Sequence, residues 1–455
     1  MIKISKKILI ISFTVIALIL TLTGCSQEAD KPVTEASQEI SAISTEDLVQ
    51  SLDDPSYVII DTRSTDAYNG WKLGDASRGG HIKGAVDFPA SWLDQEVENK
   101  EEILSQALLS KEIAEDKSIV LYDDNDADAL KVAEYLKGKG YEKLYTYDVK
   151  QWAKDESLEM EKYPNYQLIV PASIVKDIID GKKPESFENA KNIKIVEASW
   201  GEEETSYANG HVPTAFHINT DIVEPPPAWM LASDDELAKF ASDFGFTKDD
   251  TVIVTSQDQM AAYRVAEVLR YIGVSDVRVL NGGLKAWTDA GYELETASIQ
   301  PQPASDFGAV IPANPDEIMT IEELKANLDK PGFTLVDNRT WEEYIGESSG
   351  YSYHDKAGRI PGAVFGYAGL GDATSLDHYR NIDNTMRNAA EIKALWEKSG
   401  IDMDNELAFM CGSGWRAAEV KYYADVMGLT KTSLYSDGWI GWSNAGNESE
   451  TGEPQ

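Results

Sequence analysis

The stretch FTLVDNR, residues 333–339, is an apolar run that ends in an acidic residue. Two other stretches have the same form, YVIIDTR at residues 57–63 and IKIVEAS at residues 193–199. Runs rich in β-branched residues are typical of strands buried on both faces, as in parallel sheets. Three such starts in one chain indicate a repeated unit.

The segments after these three strands repeat one order of parts: a glycine-containing turn, a second apolar strand, a helical pattern, a short third strand and a closing tryptophan. The turns are GHIKGA, GHVPTA and GRIPGA, at residues 80–85, 210–215 and 358–363. The second strands end at Asp123, Ser256 and Cys411, and the closing tryptophans are Trp152, Trp287 and Trp442. Alternating strands and helices predict parallel strands with crossover helices. We therefore predict an α/β fold of three tandem domains, each a mainly parallel sheet flanked by helices.

The length of the chain agrees with three domains, and its net charge limits the possible partners. A chain of 455 residues is long enough for about three domains. The formal net charge of −37 argues against nucleic acid as a partner, because such binding needs Lys and Arg to neutralise phosphates. We place the domains at residues 43–155, 166–296 and 308–446.

The N-terminus has the form of a targeting segment. Lysines at positions 3, 6 and 7 precede an apolar run at residues 8–22, which is short for a membrane-spanning helix. The run ends in Leu-Thr-Gly-Cys25, which resembles the lipobox of bacterial lipoproteins. The resemblance implies a signal peptide over residues 1–25, lipid on Cys25, a tether at 26–42 and a body on the extracytoplasmic face of the cell membrane. A plain secretory signal, or an anchor helix with an incidental cysteine, is the alternative.

The loop CGSGWR, residues 411–416, carries the chemistry. Its strand delivers Cys411 to the carboxyl end of the predicted sheet, where ligands of open α/β sheets bind. Gly412 and Gly414 let the loop curl so that successive N–H groups point inward, and the helix that follows adds its positive end. A thiolate in such a loop is a nucleophile beside an anion cradle.

The length of the loop separates two chemistries. Cysteine-dependent phosphatases and related arsenate reductases resemble C-x5-R, whereas only four residues stand between Cys411 and Arg416 here. A tighter loop suits a sulfane sulfur better than a phosphoryl group. Phosphate chemistry is therefore disfavoured.

Together, four segments resemble the rhodanese sulfurtransferase family: CGSGWR, VDNR with Glu343-Tyr344 after it, the GRIPGA turn and the ending YSDGWIGW. Weaker versions of these landmarks extend the resemblance over residues 43–446. A chain of three such domains with the cysteine only in the last is similar to three-domain bacterial thiosulfate sulfurtransferases.

The resemblance implies an enzyme without cofactor or metal. Cys411 would take a sulfane sulfur from thiosulfate or a similar donor, with 3-mercaptopyruvate as a lesser alternative, and pass it from a persulfide to a thiol or cyanide. A protein acceptor is a further option. The rival hypothesis is a non-catalytic surface module that binds persulfide or senses redox state.

The resemblance also assigns roles around the loop. Gly412, Ser413, Gly414 and Trp415 would form the substrate-binding loop, and Arg416 would contact the donor's anionic group or orient the loop. The candidate substrate contacts are Arg339, Arg359 and Arg387, with Arg380 as another residue of the long loop 366–388. Asp337 is expected to be structural, in a salt bridge with Arg339. Glu343 stands where two-domain relatives tend to carry a basic residue, which puts thiosulfate in doubt as the natural donor.

The first two domains lack this chemistry. Asp123 and Ser256 occupy the position of Cys411, and neither loop has its glycines or terminal arginine. Asp124, Asp126 and Asp128 make the first loop acidic, but it lacks the Gly and distal Glu of an EF-hand. We predict two inactive domains that support the third and shape one wall of its cleft, where Trp200, Trp229 and His217 are candidates for the interface.

Overall fold

A computed structural model describes residues 40–454 of the chain. The predicted signal peptide, Cys25 and most of the predicted tether lie outside the described residues. None of the helices in the described part is long and apolar enough to cross a membrane.

The helices and strands fall into three sets, which we call domains 1, 2 and 3. Domain 1 contains β1 (Ser41–Ala42), α1 (Thr45–Ser51), β2 (Tyr57–Asp61), α2 (Thr65–Asn69), β3 (His81–Ile82), β4 (Val86–Asp87), α3 (Lys100–Ser110), β5 (Ser118–Asp123), α4 (Asp128–Gly138), β6 (Leu144–Asp148), α5 (Val149–Lys154) and β7 (Met160–Glu161).

Domain 2 contains β8 (Ile169–Val170), α6 (Ala172–Ile179), β9 (Lys194–Ser199), β10 (Phe216–Asn219), α7 (Asp234–Asp243), β11 (Thr251–Thr255), α8 (Gln259–Ile272), β12 (Asp276–Leu280) and α9 (Gly283–Asp289). Domain 3 contains β13 (Ile318–Met319), α10 (Ile321–Asn327), β14 (Phe333–Asp337), α11 (Trp341–Tyr344), β15 (Val364–Phe365), α12 (Ala389–Lys398), β16 (Glu406–Met410), α13 (Trp415–Val426), β17 (Thr432–Tyr435) and α14 (Gly438–Asn444).

Each domain is built on a five-stranded sheet of one topology. The orders are β1-β6-β5-β2-β4, β8-β12-β11-β9-β10 and β13-β17-β16-β14-β15, and every pairing within them is parallel. The predicted α/β fold of three tandem parallel-sheet domains is confirmed. The two outer strands of each sheet have two to four residues, and strands this short carry no readable pattern.

The three closing tryptophans have the same structural role. Trp152, Trp287 and Trp442 lie buried on the last helices of their sheets, and each indole N–H donates to a backbone carbonyl six or seven residues later, at 2.7–3.0 Å. The large ring fills the space under the sheet while its polar atom finds a partner in the chain that leaves the helix. This explains why the residue recurs at nearly constant spacing.

Domains 2 and 3 share one hydrophobic core. Helices α8 and α13 pack against each other there, and Tyr263 of α8 lies 5.2 Å from the ring centroids of both Tyr422 and Tyr423. Asn281 is one of several contacts of domain 1 with the other two: its amide N–H donates to Asp66 at 2.7 Å, and its amide oxygen accepts the N–H of Met386 at 3.0 Å. One side chain of domain 2 thus links domains 1 and 3.

Candidate active site

The nucleophile candidate lies where β16 ends. Cys411 is 1% exposed and unpaired, and its Sγ accepts the N–H of Gly414 at 3.2 Å. Gly414 has a φ of 103°, a conformation that strongly favours glycine. The following residue starts the twelve-residue helix α13, whose N-terminus therefore lies next to the sulfur. Backbone N–H groups and the helix end are the features that stabilise negative charge on sulfur.

A cavity of about 250 Å³ opens over Cys411. Domain 3 and domain 2 both line it. The residues from domain 3 are Cys411, Ser413, Trp415, Arg416, Tyr351, Tyr353, Ala373 and Thr374, and those from domain 2 are Trp200, Glu224, Trp229, Asp258 and Met260.

Arg416 lines the cavity, but its charge is balanced inside the protein. Its two terminal nitrogens bind both carboxylate oxygens of Glu343 at 2.8 and 2.9 Å, and one of them also donates to the Tyr351 hydroxyl at 3.0 Å. Burial alone would raise the pKa of Glu343, but Arg416 holds that pKa below its usual range. Of the two roles predicted for Arg416, this geometry favours orienting the loop over contacting an anion.

The other predicted arginines do not reach the cavity. Arg339 is 0% exposed and forms a two-pronged ion pair with Asp337. Arg359 pairs with Glu450, and Arg387 with Glu391. In residues 40–454, none of these three candidate substrate contacts lines the cavity, because each is held by a nearby acid.

The long loop 366–388 reaches the site by other residues than the predicted ones. It contributes Ala373 and Thr374, while Arg380 turns away to bind Glu419 of α13. Arg387 lies in a separate groove beside α3 of domain 1. The loop therefore covers the cavity without bringing an arginine to it.

Asp337 and Arg339 form an ion pair that recurs in domain 1. Arg63 and Asp61 make the same pair in domain 1, and each arginine also donates to the carbonyl of the turn glycine, Gly80 or Gly358. A domain without the cysteine keeps the pair, so it holds the end of the sheet. This agrees with a structural role for Asp337.

The cavity has aromatic walls and acidic side chains. The ring of Tyr353 lies 5.1 Å from that of Trp229 and 5.3 Å from that of Tyr351. The side chains of Glu224 and Asp258 lie on the domain 2 side, and Arg416, already paired, is the one cation that lines the cavity in the described part of the chain. Such walls suit a planar or cationic molecule better than a dianion.

Two tyrosine hydroxyls stand close to the sulfur. Burial raises the pKa of both Tyr351 and Tyr353, and negative charge on Cys411 raises them further. Both hydroxyls therefore stay protonated at neutral pH and can donate hydrogen bonds. The Tyr353 side chain also interacts with Ser413 of the loop and is 54% exposed.

Sequence reasoning found part of this site. Trp200 and Trp229 were interface candidates and do line the cavity, whereas His217 instead bonds Ser199 within domain 2. Tyr351 and Tyr353 were missed, although their position in the loop before the GRIPGA turn was a usable signal. No local motif pointed to Glu224, Asp258 or Met260, which reach the site only through packing of domain 2.

The equivalent corners of domains 1 and 2 have no thiol. Asp123 accepts the N–H of Ala129 at 2.9 Å, and Ser256 is buried. Among residues 40–454 there is no group of His, Cys, Asp or Glu placed to hold a metal ion.

The three sheets correspond to three copies of a known domain. The family model described as "Rhodanese-like domain" matches residues 44–155, 178–290 and 320–445. The chain belongs to the rhodanese-like family. The predicted family is confirmed, and each of the three matched segments falls on one of the three sheets.

Curated relatives are sulfurtransferases by name. Thiosulfate sulfurtransferase YnjE of Escherichia coli K12 is 36% identical over 389 residues, covering 85% of this chain and 86% of that protein. The bovine thiosulfate sulfurtransferase is 26% identical over 261 residues, 55% of this chain and 84% of that one. Human 3-mercaptopyruvate sulfurtransferase is 25% identical over 262 residues, with 55% and 84% covered. These relatives support sulfur transfer as the general class of reaction of this rhodanese-like protein.

Solved structures extend the likeness to the whole fold. The complex of the EanB variant Y353A with ergothioneine superposes with a TM-score of 0.86 at 35% identity, covering 92% of this chain and 100% of that one. The anaerobic ergothioneine biosynthesis enzyme from Chlorobium limicola, with its natural substrate trimethyl histidine, gives 0.86 and 35%, covering 91% and 100%.

Proposed function

We propose that the protein is a sulfurtransferase in which Cys411 carries the sulfur as a persulfide. The supporting observation is the position of Sγ, at the floor of the cavity with the Gly414 N–H 3.2 Å away. The loop residues Gly412, Ser413, Gly414 and Trp415 connect Cys411 to Arg416, which holds the loop through Glu343.

The reaction proceeds in two steps. The Cys411 thiolate attacks the outer sulfur of the donor, a new S–S bond forms, and the donor's own bond to that sulfur breaks with its electron pair leaving on the remainder, which is sulfite for thiosulfate. The acceptor then attacks the terminal sulfur of the persulfide and regenerates the thiolate. No electron donor or cofactor is needed.

Steady-state turnover tests this function and the rival one together. The full chain is assayed with thiosulfate or 3-mercaptopyruvate as donor and cyanide as acceptor. Repeated turnover supports the enzyme, whereas one sulfur bound per chain without release to any acceptor supports the non-catalytic persulfide module. Labelling of the full chain with palmitate in cells tests the separate proposal that Cys25 anchors the protein at the extracytoplasmic face.

The charge of the cavity bears on the donor. Glu343 neutralises Arg416, Arg264 pairs with Glu224, and Asp258 adds an acidic group. A dianion such as thiosulfate meets no unpaired cation there among the described residues. We therefore propose that donors of lower charge, such as 3-mercaptopyruvate, react faster than thiosulfate.

Glu343→Gln is expected to shift donor preference toward thiosulfate. The substitution removes one negative charge beside Arg416 and keeps an oxygen for its N–H groups, so the loop gains net positive charge. We expect the ratio of kcat/KM for thiosulfate to that for 3-mercaptopyruvate to rise roughly tenfold. A ratio is measured because damage to the fold lowers both values alike, and an unchanged ratio contradicts the electrostatic account.

The lining also favours a second candidate for the acceptor. Rings of tryptophan and tyrosine beside carboxylates bind quaternary ammonium groups, and the enzyme from Chlorobium limicola, similar in fold to this chain, has trimethyl histidine as its natural substrate. We propose a small imidazole betaine of that kind as an acceptor, beside thiols and cyanide. A ring carbon would bond to the terminal sulfur while the S–S bond breaks with its electron pair leaving on Cys411, and the proton of that carbon would leave to solvent.

Asp258→Asn is expected to weaken binding of trimethyl histidine. One carboxylate oxygen of Asp258 accepts the N–H of Met260 at 3.1 Å as the N-cap of α8, and asparagine preserves that cap while removing the charge. We expect KM for trimethyl histidine to rise roughly two- to fivefold. Cyanide serves as the control acceptor, and an equal change for both acceptors argues against a cation site.

A further inference from the structure

Glu224 of domain 2 contacts the catalytic loop of domain 3 directly. Its side chain is 1% exposed, and one carboxylate oxygen accepts the indole N–H of Trp415. The other oxygen accepts the Nε–H of Arg264 at 3.0 Å. Trp415 follows Gly414, the residue whose N–H donates to Cys411 Sγ. A carboxylate of domain 2 therefore binds Trp415, and Trp415 is the neighbour of the residue that donates a hydrogen bond to Cys411 of domain 3.

Arg264 completes this contact from helix α8. It is 0% exposed, and its guanidinium lies against Gly414 so closely that a Cβ there would be 3.1 Å from Nη1 and 2.9 Å from the Ser436 carbonyl. Gly414 is thus confined between the guanidinium and a backbone carbonyl. Its left-handed conformation is the one in which its N–H points at the sulfur.

We propose that Glu224 and Arg264 are positioning residues for sulfur transfer, which hold residues 411–416 in the conformation that presents the Gly414 N–H to Cys411. The inference rests on the function proposed above. It gives domain 2 a specific part in the reaction although its own corner carries Ser256 instead of a cysteine.

The contact is also sensitive to protonation. Burial raises the pKa of Glu224 to about 7, against the opposing effects of Arg264 and of the hydrogen bond from Trp415, and Asp221 raises it further. The carboxyl group therefore changes charge near neutral pH, and glutamine at this position cannot. The pH profile of persulfide formation is expected to show an inflection near pH 7 in the wild type that Glu224→Gln lacks.

The decisive test compares two matched variants of the full chain. Glu224→Gln and Glu267→Gln each neutralise a buried glutamate of domain 2 that pairs with an arginine of α8, but Glu267 also contacts Lys421 of α13 instead of the loop. The rate of persulfide formation at saturating donor is expected to fall roughly 10- to 100-fold in Glu224→Gln, since small misplacements of reacting groups have effects of that size. KM for the donor should change by less than about threefold in Glu224→Gln, and the rate should change by less than about threefold in Glu267→Gln.

Trp415→Phe gives a second measurement of the same contact. It removes the indole N–H without removing the Glu224 charge, and a roughly tenfold lower rate is expected. If Glu224 acts through Trp415, the double variant should fall no further than the more damaging single one.

The outcomes separate this inference from the proposed function. If the wild type forms no persulfide with any donor tried, the proposed function itself is wrong. If the wild type is active and both Glu224→Gln and Trp415→Phe react as fast as Glu267→Gln, the positioning role is wrong. Should Glu224→Gln fail to fold, an unchanged rate in Trp415→Phe overturns it by itself.

Discussion

Replacing Cys411 with serine is expected to lower sulfur transfer by at least about 10³-fold, because the reaction depends on covalent attachment of sulfur to this side chain. A serine hydroxyl is far less nucleophilic and cannot hold a persulfide. The fold should persist, since the two side chains are nearly equal in size and Cys411 is buried without a covalent partner.

The measurement is transfer from 3-mercaptopyruvate to cyanide by full-length wild type and variant at equal concentration. Cys25 is the other cysteine of the chain and is the same in both samples, so a difference between them reports on Cys411. Activity of Cys411→Ser equal to that of the wild type is incompatible with a role of this thiol as nucleophile.

Lys421→Met is expected to lower the free energy of unfolding by about 3–5 kcal/mol, the usual effect of removing one partner from a buried ion pair. The ammonium group is 1% exposed and binds Glu267 at 2.9 Å, Asp425 at 3.0 Å and Glu317. Without it, three carboxylates share the single cation of Arg270, which also contacts all three. Methionine fills the volume but leaves acidic groups without their counter-charge.

Urea unfolding followed by tryptophan fluorescence measures the change. Lys176→Met is the matched control, because Lys176 forms an i,i+4 pair with Asp180 on the surface of α6. Its loss should change the free energy of unfolding by no more than about 0.5 kcal/mol. Equal effects of the two substitutions contradict the view that the buried cluster holds domains 2 and 3 together.

The sequence predicted the parts of the fold that have a period. Local signals predicted the strands β2, β9 and β14 and the helices after Asp123, Ser256 and Cys411, and all of them are present. The edge strands β4 and β15 have two residues each and take their conformation from the neighbouring strand. Their existence depends on pairing, which a local pattern does not encode.

The site, like the fold, was predictable where its residues are close together in the sequence. Cys411 and its loop form a contiguous motif, whereas Trp415 and Glu224 are 191 residues apart and meet only when two domains pack. For Arg339, the sequence left two interpretations open. Its position beside Asp337 fits a substrate contact or a buried salt bridge, and the structure shows the salt bridge by the complete burial of both side chains.

The repeated architecture explains why two domains persist without a thiol. The Asp61–Arg63 pair supports the sheet of domain 1, and Trp152 and Trp287 are buried beneath the sheets of domains 1 and 2. Domain 2 also supplies part of the cavity wall, through Trp200, Trp229 and Asp258. The contribution of domain 2 to the shared cavity therefore does not depend on a thiol at its own corner.

Mass spectrometry of the Cys411 peptide, after incubation of the full chain with a sulfur donor, detects the proposed persulfide itself. We expect the peptide to gain the mass of one sulfur atom and to lose it again when cyanide is added, with a matching yield of thiocyanate. Cys411→Ser, treated in the same way, should gain nothing. A wild-type peptide without added sulfur after treatment with thiosulfate, 3-mercaptopyruvate and polysulfide would contradict the account.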